Sequence, residues 1–188
     1  MKIGVLALQG DVSEHIKMTG FAGANSVPVK TVEDIKKIDG LIIPGGESTT
    51  IGKLMRNYKI DLIIKDRINE GMPVYGTCAG MILLAKKIQN LDQFTLGILD
   101  IIVVRNVFGR QVDSMELDLD IKGLDSQFHA TFIRAPVATN SGPEVEVLSS
   151  IPEGVVFLKQ KNILASSFHP ELGNDLRIHK YFIDMIKK

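Results

Sequence analysis

In the first half of the chain, apolar residues fall in short dense runs: Ile3 to Leu8, Val27 to Val29, Leu41 to Ile43 and Met72 to Tyr75. Runs of this length without polar alternation mark strands buried on both faces. Between them the spacing turns helical. Asp11 is placed to cap a helix carrying Val12, Ile16 and Met18 to about Ala22. Val32, Ile35 and Ile38 predict a brief second helix, and Ser48 or Thr49 is placed to cap a third after Pro44-Gly45-Gly46. Further helices are expected over Ile60 to Glu70 and from Ala79 to about Ile88. Strand and helix in alternation predict a mostly parallel sheet covered on both faces.

Beyond residue 100 the pattern changes. Ile101 to Val104, Met115 to Ile121, Phe128 to Ile133, Val145 to Leu148, Val155 to Leu158 and Ile163 to Ser166 are strand-like. Turn signals such as Phe108-Gly109-Arg110 and Asn140-Ser141-Gly142-Pro143 separate them. The expectation is antiparallel hairpins added to the sheet edge, with the last strand returning to the core. Asp175 to Ile186 predicts a closing helix. With no repeat, low-complexity tract or linker, residues 1–188 read as one domain.

Charge and cysteine content narrow the classes. Lys+Arg and Asp+Glu are equal at 22 each, so neither nucleic acid nor an anionic membrane is expected as a main partner. A single cysteine forms no internal disulfide, which fits a reducing cytoplasm. The apolar start is too short for a signal peptide, and no stretch approaches the ~18 to 20 apolar residues of a membrane span.

That cysteine is the most informative residue. Tyr75-Gly76-Thr77-Cys78-Ala79-Gly80 places it between two glycines where a strand pattern becomes helical, the form of a nucleophile elbow. In open α/β sheets, chemistry gathers at the carboxyl ends of strands. Three other breaks fall there: Gln9-Gly10, Gly45-Gly46 and His169-Pro170-Glu171. A thiol at a helix start beside an imidazole is set up to ionise. His169 is then the candidate base, and Glu171 the acid that orients it. The amide of Ala79 and one from Gly45-Gly46 are candidate oxyanion donors. Each feature alone is commonplace: lone cysteines are usually core residues, and Pro-Gly-Gly alone marks a turn. Their coincidence carries the reading. His15, His129 and His179 read as structural, and the absence of Cys-x-x-Cys or His-x-x-x-His spacing argues against a metal site.

With these residues in view, the chain resembles the class I glutamine amidotransferases, and within them the glutaminase subunits of pyridoxal phosphate synthase. The likeness runs through Ala7-Leu8-Gln9-Gly10-Asp11-Val12, Pro44-Gly45-Gly46-Glu47-Ser48-Thr49-Thr50, Gly76-Thr77-Cys78-Ala79-Gly80-Met81, Arg105-Asn106-Val107-Phe108-Gly109-Arg110-Gln111, Phe132-Ile133-Arg134-Ala135-Pro136 and Phe168-His169-Pro170-Glu171-Leu172. Gly173 departs from the threonine common there. The resemblance implies a three-layer α/β sandwich around a flavodoxin-like sheet. It also implies hydrolysis of L-glutamine to glutamate and ammonia by Cys78, His169 and Glu171 through a glutamyl thioester, with no cofactor. Gly46 and Ala79 would form the oxyanion hole, and Gly46, Glu47, Ser48, Arg105, Ile133 and Arg134 would contact glutamine. The implied partner is a barrel synthase, a dodecameric ring in the family, that makes pyridoxal phosphate from a pentose phosphate and glyceraldehyde 3-phosphate. Gln9 and Gly10 are then interface and gating positions. The physical reading agrees in part, since Arg105 and Arg134 carry the planar fork suited to a carboxylate. Three alternatives stay open from sequence: the glutaminase of imidazole glycerol phosphate synthase, a cysteine peptidase or stress protein on the same fold, and a degenerate regulatory subunit.

Overall fold

A computed structural model describes residues 1–107 and 114–187. In chain order the elements are β1 (Lys2–Leu6), α1 (Val12–Phe21), β2 (Asn25–Val29), α2 (Val32–Ile35), β3 (Gly40–Ile43), α3 (Ser48–Asn57), α4 (Ile60–Asn69), β4 (Val74–Thr77), α5 (Ala79–Leu84), β5 (Ala85–Ile88) and β6 (Leu99–Val104). There follow β7 (Ser114–Leu119), β8 (Phe128–Ile133), β9 (Val137–Ser141), β10 (Glu146–Ile151), β11 (Gly154–Gln160), β12 (Ile163–Ser166), a 3-10 turn at Pro170–Leu172 and α6 (Arg177–Ile186).

The main sheet runs β2-β1-β3-β4-β12-β11-β9-β6-β5, with β10 paired to β11. Its first five strands are all parallel, and β11 and β9 then continue the sheet antiparallel. As expected, the last strand returns to the core, inserting β12 beside β4. β7 and β8 form a separate ribbon.

Alternate residues of the parallel strands feed two apolar layers. Leu6, Leu41, Ile43, Val74 and Ala165 pack with α2 to α5 on one side. Ile3, Val5, Ile42, Tyr75 and Leu164 pack with α6 and the β7–β8 ribbon on the other, where α1 also lies. Burial on both faces explains the unbroken apolar runs. Parallel pairing of β1, β3, β4 and β12 points them in one direction, so four consecutive carboxyl ends share one edge.

Several boundaries differ from expectation. The helix expected to reach Ile88 stops at Leu84, because the loop ahead of β6 takes over its last carbonyls. Leu96 N–H donates to the carbonyl of Leu83 at 2.6 Å, and Ile98 N–H to that of Leu84 at 3.1 Å. Ala85 turns extended and starts the four-residue strand β5, which pairs with β6. β9 has no counterpart in the expected strands: it carries only two buried residues, Val137 and Ala138, before the polar turn. α3 is capped by Glu47, not Ser48 or Thr49, and Asp11 makes no side-chain cap on α1. The expected turn Phe108-Gly109-Arg110, with Gln111, lies outside the described residues. No helix among the described residues is long and apolar enough to cross a membrane.

Candidate active site

Cys78 follows the last residue of β4 and sits at φ 47°, ψ −98°. A side chain with a Cβ takes this conformation only when its surroundings impose it. Here the Cys78 N–H donates to the carbonyl of Ser166 at 2.8 Å, and its carbonyl accepts from Ile82 N–H at 3.2 Å, opening α5. The flanking glycines are required by space. A Cβ on Gly80 would run into the Ile43 carbonyl, and one on Gly76 would come within 2.6 Å of the Gly80 carbonyl carbon. The thiol, 7% exposed as a residue, lies 3.8 Å from the carbonyl oxygen of Ile133 at the end of β8.

His169 lies just beyond β12, its N–H donating to the Thr131 carbonyl at 2.8 Å. Pro170 starts the 3-10 turn, which brings Glu171 back against the ring: Nδ1 to Oε1 is 2.7 Å. Asp11 Oδ2 approaches the same nitrogen at 3.4 Å. Gly45 packs directly on the imidazole, since a Cβ there would overlap Cε1. Burial alone would lower the His169 pKa, but hydrogen bonds to Asp11, Cys78 and Glu171 push it up to about 12. The ring is therefore held as an imidazolium facing the thiol, the partner a thiolate nucleophile needs. Burial raises the Glu171 pKa, opposed by the hydrogen bond from His169.

In front of the thiol is a cavity of about 410 Å³ lined by Gln9, Asp11, Gly46, Glu47, Ser48, Cys78, Ile82, Arg105, Asn106, Ile133, Arg134 and His169. Gln9 Oε1 accepts from the Glu47 N–H at 2.7 Å, tying the β1 end to the glycine strip after β3. Glu47 is heavily engaged as a cap. Its carboxylate accepts from Thr49 N–H at 3.0 Å and Thr50 N–H at 2.7 Å, and Arg105 Nη2 lies 3.7 Å away. Burial works to raise its pKa, yet the bonds from Thr50 and Thr49 hold it at about 2. Arg105 also donates to Gln93 Oε1 at 2.6 Å. Arg134 is exposed at φ 44°.

Residues 5–188 match the SNO glutamine amidotransferase family. The chain belongs to that family. It is 51% identical over 188 residues to the pyridoxal 5'-phosphate synthase subunit PdxT of Fervidobacterium nodosum, covering 100% of this chain and 98% of the relative. Identity to the PdxT of Pseudothermotoga lettingae is 54% over 186 residues, with coverage of 98% and 95%. A crystal structure of a glutamine amidotransferase superposes with a TM-score of 0.94 at 47% identity, covering 99% of both chains. PurLQS from Thermotoga maritima, at TM-score 0.67 and 16% identity over 99% and 96% of the two chains, shares the fold.

In this amidotransferase the cavity gathers Cys78, His169, Gly46, Glu47, Ser48, Arg105, Ile133, Arg134 and Gln9 from the residues singled out in sequence. Glu171 sits behind His169, and buried Ala79 opens α5. Sequence reasoning missed Asp11 as a second carboxylate on His169, having assigned it to a helix end. His129 has no carboxylate beside it in sequence, and the β7–β8 register places Asp118 directly opposite, 2.8 Å from Nδ1. Asp11, His169 and Glu171 offer ligand atoms within 4.8 Å of one another. Both carboxylates converge on the single Nδ1, however, which is the geometry of a hydrogen-bonded acid pair rather than a coordination sphere.

Proposed function

We propose that this chain hydrolyses L-glutamine with Cys78 as nucleophile, His169 as acid and base, and Glu171 as the group that orients His169. The observation carrying this reading is the Cys78 elbow facing an imidazole bound to a buried carboxylate at 2.7 Å in one cavity. The thiolate attacks the side-chain carboxamide carbon, and the carbonyl oxygen takes the electron pair, facing the amides of Gly46 and Ala79. As the tetrahedral species collapses, the C–N bond breaks and His169 gives its proton to the departing nitrogen, releasing ammonia. Water then attacks the glutamyl thioester, His169 takes its proton, and glutamate leaves with the thiolate restored.

The rim supports a substrate that carries both charges. Arg134 is an exposed guanidinium at the cavity and fits the α-carboxylate. Arg105 is the second cation, already sharing Glu47 and Gln93. Since the Glu47 carboxylate is spent on its cap, it meets the ammonium only by sharing its oxygens, with Ser48 and Gly46 contributing beside it. Ile133 contributes its carbonyl and an apolar wall.

Ammonia protonates in water, so release into a partner preserves its nucleophilicity. The relatives' name, a subunit of pyridoxal 5'-phosphate synthase, supports delivery to a synthase for vitamin B6 formation. We take that partner to be the ring-forming barrel synthase acting on a pentose phosphate and glyceraldehyde 3-phosphate, in the cytoplasm. Gln9 and Gly10 are the proposed contact and gating positions: Gln9 holds the Glu47 amide, and Gly10 abuts the Gly45 carbonyl too closely for any Cβ. The test is ammonia release from glutamine with and without the synthase. Activity should rise on adding it and fall by at least ~10⁴-fold in Cys78→Ala. Parental release by that variant would remove the assignment.

A further inference from the structure

Behind the proposed triad, on the side away from the cavity, lies a second set of polar groups sealed from solvent. Glu171 is 4% exposed, and only its Oε1 is used by His169. Its Oε2 makes no well-formed hydrogen bond among the described residues; the group facing it is His15 Nε2 on α1, 3.4 Å away. His15 is fully buried, with Nε2 also 3.1 Å from Thr77 Oγ1 and Nδ1 3.2 Å from Nε2 of His179 on α6. The Nδ1 of His179 has no hydrogen-bond partner among the described residues.

One proton arrangement is compatible with these contacts, with a single N–H on His15 placed between Thr77 Oγ1 and Glu171 Oε2. An ionised carboxylate only accepts, so His15 must carry its proton on Nε2. Burial foremost, then the proximity of His179 and His169, lowers the His15 pKa well below its usual value, so the ring is neutral and Nδ1 is bare. That bare nitrogen accepts from the Nε2–H of His179. Burial also holds His179 neutral, its pKa down to about 4, which leaves its Nδ1 as a bare acceptor. The orphan atom is then an unused lone pair rather than a stranded proton, the cheaper of the two to bury. Donors thus point one way, from His179 to His15 to Glu171, and Glu171 meets His169 on its other oxygen.

We propose that His15 is a positioning residue for the hydrolysis, holding the Glu171 carboxylate ionised and oriented from behind, with His179 fixing the His15 tautomer. The inference rests on Glu171 acting as the orienting acid. A buried carboxylate that loses the N–H facing its second oxygen becomes easier to protonate, and a protonated Glu171 no longer supports the His169 imidazolium. Other groups that act on Glu171 are His169, its own backbone N–H, Asp11 and Tyr75, the last with its phenol bonded to Ser166 at 2.8 Å.

The test measures steady-state glutaminase activity, with the synthase present, across pH for the parent, His15→Phe, His15→Gln, Glu171→Gln and the double variant His15→Phe/Glu171→Gln. His15→Phe keeps ring bulk without the N–H. It should lower kcat about 10- to 100-fold, the range seen for outer partners of functional histidines at metal sites, with KM unchanged. The acidic limb of its pH profile should move to higher pH. His15→Gln, whose amide N–H reaches the same place, should recover most of the rate. In the Glu171→Gln background, His15→Phe should cost little more, because its target is gone. Parental kcat and pH limb in His15→Phe, alongside a slow Glu171→Gln, overturn this proposal alone; so does a multiplicative loss in the double variant. A Glu171→Gln enzyme with the parental rate overturns the triad reading and this one with it.

Discussion

Behind Cys78, Glu171, His15, Thr77 and His179 are sealed from solvent and tied to one another, and they stand on β4, the turn after β12, α1 and α6. In front of it, Gln9, Glu47, Asn106 and Arg134 are exposed. That rim stands on turns, with Gly10, Gly46, Asn106 and Arg134 all at positive φ. The contrast separates two tasks. A proton-transfer pair needs fixed distances and a dry environment, which packed elements supply. A substrate that must enter, and ammonia that must leave toward a partner, need an edge of adjustable loops. The strain at the rim is of the kind found where backbone amides and side chains are aimed at a ligand.

Substitutions in the two regions should therefore fail in different kinetic parameters. The largest effect belongs to the wall: Glu171→Gln should lower kcat by ~10³- to 10⁴-fold with KM nearly unchanged, since the wrong tautomer of His169 would face the thiol. A KM effect instead would place Glu171 in substrate binding and erase the distinction.

The wall should also be acid-sensitive. Folded His179 stays neutral down to about 4, whereas an unfolded histidine protonates near 6.5. The unfolded state thus binds more protons in that window, so stability falls as pH drops through it and is flat above it. Comparing urea unfolding at pH 7 and pH 4.5, the parent should lose about 2 to 3 kcal/mol more than His179→Phe. Equal losses would mean that His179 is charged in the folded chain.

At the rim, Arg134→Ala should raise KM by about 10- to 100-fold, as expected for one lost charge-assisted carboxylate contact, and leave kcat nearly intact. A kcat loss there would blur the division. The smallest effect is expected at the border. Asp11 touches His169 from the solvent side, and Asp11→Asn removes one of the contacts that raise the His169 pKa. The basic limb of the kcat/KM profile should move down by less than about one unit, because the imidazolium that protonates the leaving nitrogen is then lost at lower pH.

The division also tracks what the sequence made legible. The parallel strands were readable because burial on both faces leaves unbroken apolar runs, and the chemistry at their ends came with local signals: the glycines around Cys78 and the two-residue spacing of His169 and Glu171. Contacts made across the fold left none. Asp11 has the residue type and place of a helix cap, but its carboxylate turns to a ring supplied by β12. Leu84 ends a helix because a later loop takes its carbonyl. His15 looks like any histidine on an amphipathic helix, and its meaning depends on α6 and Glu171 arriving beside it. Glu47 was assigned to substrate, and its local role as a cap of α3 was overlooked although Thr49 and Thr50 follow it.

The central claim is that the thiol on the elbow is the group that attacks glutamine. It is tested most directly by treating the protein with a glutamine-mimicking diazoketone, with and without excess glutamine, and mapping the modified peptide by mass spectrometry. The account predicts a single adduct on Cys78 that glutamine prevents and that His169→Ala slows. Modification that glutamine does not block, or an adduct on another residue while Cys78 stays free, would contradict it.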